Sequence, residues 1–390
     1  METIREYIDK MEKMHKVLLY YIEDEDNKKD SFDKLKHQLY DQKVRENKFK
    51  LKTFLYLISK IANEHYRSID FFTKIENVMK IFKDDFKKYF TNSEIFNIFE
   101  NNKRILYFLF SENILIPEKS ICQMLTSSKY RKRFYPHYFF NEFEKKFDKN
   151  FIDEIKPEIP SIITSNKVSF NIKRKLGEND NYICEIIQND SINEFTSFVE
   201  EKKLNLNSTI EKSIFETNPY LLNRNPTLIE YSAFYGSIRI LKYLFQNGVD
   251  LTSSLWCYAI HSKSFELIHF LEENQVNPPE NDYEECYIKS CKCHNVKLSD
   301  YIKMNFIKIN ERKSDSLLTK ILKYFDFVDF KKNSYANSNT QISLIFANFC
   351  KYDYSAIVDL LSKNHVIDIN TKVIQKKYKF QWCFKNLYFE

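Results

Sequence analysis

Pro226-Thr-Leu-Ile-Glu-Tyr-Ser-Ala-Phe-Tyr-Gly236, followed at once by Ser237-Ile-Arg-Ile-Leu-Lys-Tyr-Leu-Phe-Gln-Asn-Gly-Val-Asp-Leu251, is the stretch on which the fold turns. Its second half sets Ile240, Leu241, Leu244 and Phe245 at helical spacing, the apolar face that a helix buries against a neighbour. Its first half carries the small pair Ser232-Ala233, which lets an adjacent helix approach closely. Gly236 falls between the two segments and Gly248 directly after the second, where a residue in the left-handed conformation ends a helix. The stretch reads as a helix–turn–helix hairpin. Two helices this short cannot hide their apolar faces on each other alone, so the hairpin predicts neighbours of its own kind.

Those neighbours are visible as internal self-similarity. Arg104-Ile-Leu-Tyr-Phe-Leu-Phe-Ser-Glu-Asn-Ile114 superposes without a gap on Arg239-Ile-Leu-Lys-Tyr-Leu-Phe-Gln-Asn-Gly-Val249, an offset of 135 residues, five times 27. A 27-residue shift also carries Thr227, Leu228 and Tyr231 onto Ser254, Leu255 and Tyr258. It brings Leu241 and Leu244 onto Ile268 and Leu271, and Val249 onto Val276. One such step back from Ile105, Leu106 and Leu109 lies the apolar set Val78, Met79 and Phe82. The expected architecture is therefore all-α, an α-solenoid of stacked helical hairpins.

Composition agrees. Aromatic residues reach 16%, with 35 Phe and 26 Tyr, while only three glycines occur, Gly177, Gly236 and Gly248. Three glycines cannot furnish the positive-φ turns of many β-hairpins or the close-approach loops that cradle phosphates. A hydrophobic fraction of 43% excludes wholesale disorder. The charge of +6 comes from 60 basic and 54 acidic residues that alternate along the chain, a pattern of solubility and not of a dedicated nucleic-acid binder. The start Met-Glu-Thr-Ile-Arg-Glu-Tyr lacks the apolar core of a secretory signal, and the most apolar stretch, Ile105 to Phe110, is far short of a membrane span. These features predict an intracellular, cytoplasmic protein whose eight cysteines are reduced.

Helical spacing organises residues 1–152 into an N-terminal hairpin region. It weakens over 153–180, where Pro157, Pro160 and Gly177 mark a junction, and returns over 181–370, leaving a tail at 371–390.

The unit from Pro226 to Leu251 resembles an ankyrin repeat. Thr227 stands at the family's Thr, Ser232-Ala233 at its Ala pair, Gly236 at the inter-helix turn, and Gly248 at the end of the second helix, whose core is Leu241 and Leu244 with their neighbours. Leu228 replaces the family's Pro and Glu230 its His, so the Thr–His hydrogen bond is lost. In the following unit Lys263 and Gln275 occupy the glycine positions. A 27-residue step is shorter than the ankyrin 33, which implies that the β-hairpin finger is reduced or missing. From about Phe54 to Asn370 the chain is similar to a large protist group of ankyrin-repeat proteins that carry a domain of unknown function. Glu94–Asn113 and Cys184–Tyr301 are the most alike. The resemblance implies a fold and no activity; the extended surface of stacked hairpins predicts a non-catalytic protein–protein interaction module or adaptor, with another protein as partner. By the repeat alignment the partner-facing residues are Glu230, Phe234, Tyr235, Trp256 and His261. Thr227, Ala233, Gly236, Leu241, Leu244 and Gly248 are read as structural.

Other clusters point elsewhere with less force. Cys286, Cys291, Cys293 and His294 carry soft-ligand character, but within one helix they face different ways, so neither metal nor cofactor is expected. Tyr130-Arg-Lys-Arg-Phe-Tyr135 interleaves cations with rings as single-strand binders do, and with the basic run Lys376, Lys377 and Lys379 supports the alternative of a nucleic-acid or anionic-surface binder. His261 and His269 have no activated nucleophile beside them, and phosphate-loop, nucleophile-elbow and zinc-protease motifs are missing, so no enzyme is expected.

Overall fold

Apolar residues at helical spacing and the near-absence of glycine give the expected outcome. In a computed structural model the described residues form an all-helical fold. The described residues are 4–26, 29–68, 70–155, 166–307, 317, 320–327, 348–352 and 354–363. Among them the β-structure is one isolated antiparallel bridge, Thr209 to Thr227. Pro157, Pro160, Ile367–Asn370, the basic run at 376–379 and the tail at 371–390 lie outside the described residues.

The helices are, in order, α1 (Ile4–Ile22), α2 (Lys29–Asp41), α3 (Lys48–Glu64), α4 (Phe71–Lys80), α5 (Lys83–Tyr89), α6 (Asn92–Phe99) and α7 (Lys103–Ser111). Next come α8 (Lys119–Leu125), α9 (Ser128–Arg131), α10 (Tyr135–Tyr138), α11 (Phe140–Phe143), α12 (Lys149–Ile155) and α13 (Lys167–Leu176). Then follow α14 (Tyr182–Gln188), α15 (Ile192–Lys202), α16 (Pro219–Leu222), α17 (Leu228–Tyr235) and α18 (Ile238–Gln246). The series ends with α19 (Leu255–Ser262), α20 (Phe265–Glu273), α21 (Glu284–Lys292), α22 (Val296–Phe306) and α23 (Ser355–Lys363).

The chain forms two compact units, one of residues 1–60, 67–78 and 307–390, the other of 61–66 and 79–306. In the first, α1 buries Ile8, Met11, Leu18 and Ile22 and packs on α2 and α23. The Lys74 ammonium donates to the carbonyls of Ile22 and Asp24, satisfying acceptors at the end of α1.

In the second unit the helices pair as hairpins: α14 with α15, α17 with α18, α19 with α20, and α21 with α22. The first helices contact one another in order, α14 to α17 to α19 to α21. Within α17–α18, Ala233, Ile240, Leu241 and Leu244 are fully buried, each large side chain contributing about 1.5–3 kcal/mol. Gly236 has φ +75°, and a Cβ there would lie 3.2 Å from that of Ser262 in the next hairpin. Both the turn and the close approach require it to be bare.

The N-terminus of α17 is locked by its own side chains. Thr227 Oγ1 accepts from the Glu230 N–H, and the Glu230 carboxylate accepts from the Thr227 N–H at 2.9 Å, a reciprocal capping box. The same pair, Thr91 and Glu94, starts α6.

The ends of the helices follow one rule even without glycine. Asn113, Gly248 and Gln275 occupy aligned positions, with φ of 55°, 86° and 54°. The next amide in each case reaches back to a buried leucine carbonyl: Ile114 to Leu109, Val249 to Leu244, Val276 to Leu271, at 2.9–3.1 Å. This is the Schellman closure, which ties off orphan carbonyls. Lys263, aligned with Gly236, is likewise left-handed at φ 58°. An L-residue in that conformation costs about 1–2 kcal/mol, part of which glycine gives back as unfolded-state entropy. Gln275→Gly is therefore expected to stabilise the protein by about 1 kcal/mol, read as a higher urea midpoint at unchanged slope. A lower midpoint would refute strain at this turn.

Residues 166–180, the described end of the stretch read as a junction, contain α13, which packs on α7 within the second unit. Arg174 is buried there, its guanidinium 4.1 Å from the Tyr107 ring and 4.7 Å from Phe170, and paired with Glu142 at 2.9 Å.

Candidate interaction surface

The long connection from α15 to α17 decides which faces of the hairpins stay open. Asn218 caps α16 by accepting from the Tyr220 N–H, and Pro219 fits the first helical turn because it has no N–H to satisfy. This short helix lays Tyr220 across the first helices. The ring stacks on Phe234 at an angle of 10°, meets Tyr258 edge-on at 5.0 Å, and lies 4.5 Å from the His261 ring. The Arg224 guanidinium sits 3.9 Å from the ring centroid, and the Lys289 ammonium 3.5 Å from it. Burial pulls the Lys289 amine down to about 8.

The residues expected to face a partner are mostly buried or half-buried. Trp256 is 0% exposed: its Nε1–H donates to the Val276 carbonyl at 2.8 Å and its ring meets Tyr283 edge-on at 5.2 Å. His261 is 1% exposed, with Nδ1 3.4 Å from the Cys293 thiol, and Phe234 is buried beneath Tyr220. Glu230 is half-buried and bound into its capping box, and it also accepts from the Ser254 hydroxyl at 2.6 Å, linking its hairpin to the next. Tyr235 is half-buried, its ring 4.9 Å from that of Tyr231. Tyr220 of α16 lies against Phe234 and His261, and Tyr283 against Trp256, so these side chains belong to the interior and Glu230 and Tyr235 to its margin. Tyr220, Arg224 and Lys289 were not singled out by sequence: Lys289 and the rings that Tyr220 meets lie well apart from it along the chain, and Arg224 takes its role only from Tyr220 beside it.

His261 sets a pH dependence. Burial first, then the charges of Lys289, Lys292 and Arg224, holds its pKa well below the usual 6.5. Below that value the unfolded chain takes up a proton that the folded chain refuses. Stability due to this group is thus full above pH 6.5 and lost as pH falls through the acid side, by up to about 1.4 kcal/mol per unit. His261→Gln is expected to flatten urea midpoints between about pH 6.5 and 5, compared with the parent chain. An unchanged slope would contradict a neutral buried imidazole.

The remaining clusters disperse. Cys286 is buried in α21, while Cys293, just after that helix, lies 3.4 Å from His261 of α19. Among the described residues no three His, Cys, Asp or Glu side chains are placed to share a metal ion. Burial pushes the Cys293 thiol up to about 12. His269 is exposed and pairs with Glu272 at 3.0 Å, away from the buried His261. In the 130–135 stretch, Tyr130 and Tyr135 are buried with rings 5.1 Å apart, and Arg131 pairs with Glu154 at 2.6 Å, so those rings offer no face to a base. Among the described residues no helix is long and apolar enough to cross a membrane.

Open ground lies at the far ends of the second helices. A groove of about 570 Å³ runs between the end of α20 and the end of α22. Tyr283 and Phe306 stack at 4.2 Å along it, and the Tyr301 hydroxyl donates to both Glu272 oxygens, at 2.9 and 3.1 Å. The side-chain amides of Gln275, Asn277 and Asn305 complete the lining. A second groove of about 400 Å³ shares Gln275, Val276 and Asn277 and continues past them to Phe245, Leu251 and Ser253. Volumes of this order accommodate ligand side chains.

Comparison with protein-family models, with curated proteins and with solved structures finds no match to this chain.

Proposed function

We propose that this chain is a non-catalytic protein-binding module working as an intracellular adaptor, and that the hairpins from α14 to α22 are divergent ankyrin-type units of an α-solenoid. Its partner docks at the ends of the second helices and their loops, not over the first helices. The observation that carries the reading is the pair of adjoining grooves, which share the segment Gln275–Asn277 and join aromatic side chains to amide-bearing ones. Aromatic surface and adaptable hydrogen-bonding groups supply most of the affinity at protein interfaces. The sequential packing of first helices, the shared capping box and the recurring Schellman closures support the repeat reading.

The test is selection of peptides from a displayed random library on the full chain, followed by rebinding to Tyr283→Ala and Asn277→Lys variants. Tyr283 covers Trp256, so thermal melts of each variant accompany the binding curves. Selected peptides are expected to bind at least about tenfold more weakly to folded variants, the loss of one good anchor. Peptides that bind the variants as well as the parent would remove the grooves from the function. Binding that collapses by several decades with salt would favour nucleic-acid-like polyanions instead.

A further inference from the structure

Taking that docking reading as its basis, we propose that the larger groove selects an arginine side chain presented by an extended segment of the partner. The argument starts from charge. The lining carries one carboxylate, Glu272, and no cationic side chain. Both Glu272 oxygens are held by the Tyr301 hydroxyl, and Oε2 also faces His269 Nδ1, so the carboxylate is fixed in place at the wall. A carboxylate oxygen has more than one acceptor direction, and those not used by Tyr301 and His269 remain for a ligand donor.

The second element is the ring surface. Tyr283 and Phe306 stack nearly parallel, 16° apart, and Phe306 also meets Tyr301 at 76°. The result is a short aromatic wall beside an anion. A planar guanidinium suits both, since it lies flat on a ring while its edge donates several hydrogen bonds. The amide oxygens of Gln275, Asn277 and Asn305 can accept donors that Glu272 does not take. A lysine ammonium would meet the charge but not the flat face with a fork of donors.

The third element is continuity. The smaller groove begins on the other side of Gln275–Asn277 and has no charged residue in its lining. A peptide lying over that shared ridge would put its arginine in the first groove and a neighbouring uncharged residue against Phe245 and Leu251 in the second. The occupant is thus a segment of protein, and not a free small cation.

The experiment uses fluorescein-labelled extended peptides carrying arginine, citrulline, lysine or glutamate at one position, titrated by polarisation against the full chain. Citrulline keeps the shape of arginine and removes its charge. Arginine peptides are expected to bind about tenfold tighter than citrulline peptides, the worth of a charge-assisted hydrogen bond. Glu272→Gln keeps an acceptor for Tyr301 and is expected to abolish that preference, whereas Tyr301→Phe keeps the charge but loosens the carboxylate, and should retain a weaker preference. Equal binding of arginine and citrulline, or a preference that survives Glu272→Gln, overturns the proposal. Arginine and citrulline peptides that bind alike yet both lose affinity on Tyr283→Ala would overturn only the arginine selection and leave the docking reading standing. If Tyr283→Ala folds and changes no peptide's affinity, both fall.

Discussion

Trp256→Ala is expected to lower the unfolding free energy by about 3–5 kcal/mol, the range for emptying the site of a large buried aromatic. The indole is sealed, donates its N–H to the Val276 carbonyl, and supports the Tyr283 ring. Truncation therefore removes apolar contact, leaves a cavity and frees a carbonyl at the turn after α20. Trp256→Phe keeps most of the volume and should cost less, about 1–3 kcal/mol, chiefly the lost hydrogen bond and imperfect fit. Urea unfolding followed by far-UV circular dichroism measures both. A loss under about 1 kcal/mol for the alanine variant would mean that Trp256 is not packed as described. The consequence for function is direct: a binding defect of Trp256→Ala reports on folding unless the melt is unchanged.

Arg174→Ala should be comparably severe, about 3–5 kcal/mol, because it strips a buried cation from its carboxylate and from three aromatic faces at once. Its guanidinium donates to the Tyr138 carbonyl at 2.9 Å, to Glu142 at 2.9 Å and to Asn171 at 2.7 Å, and rests on Tyr107, Phe170 and Tyr138. Glu142 is left facing the gap. Arg174→Lys retains the charge but not the planar fork, so it should recover only part of the loss. Combining Arg174→Ala with Glu142→Gln should cost less than the sum of the two, since they share one interaction. Additive losses, or an alanine variant as stable as the parent, would contradict the buried pair.

The helices were legible from periodicity. Ile240, Leu241 and Leu244 repeat at the interval of a helical face, and all three are buried where that spacing puts them. The hairpin around Gly236 could be read because glycine is the usual mark of a left-handed turn. The equivalent turns at Lys263 and Gln275 were placed only by alignment with glycine positions, since those side chains carry no such mark; a backbone closure holds the one at Gln275, and the Ser262 hydroxyl accepts from the Ser264 N–H beside Lys263. The cap at Thr227 was within reach, because Thr followed three residues later by Glu is its own signal, yet comparison with a His-bearing pattern drew attention to what was missing. The surface was the least legible part. Repeat alignment puts Trp256 and His261 on the inner helices, but it says nothing of Tyr220 of α16, which lies against His261, or of Tyr283, which meets the Trp256 ring. The grooves depend on the paths of loops, and only the folded chain brings Glu272 beside Tyr301 and Tyr283 beside Phe306.

Tyr220 is made early and its clamp is completed late. About 70 residues separate it from Lys289, so at ribosomal speeds of about 5–20 residues per second the ring waits roughly 4–14 s for its second cation. Throughout that interval a nascent chain ending before α21 leaves the ring half-clasped and α19 without its next neighbour. Polypeptides arrested there are the ones that holdase chaperones should retain, and release should coincide with emergence of Lys289.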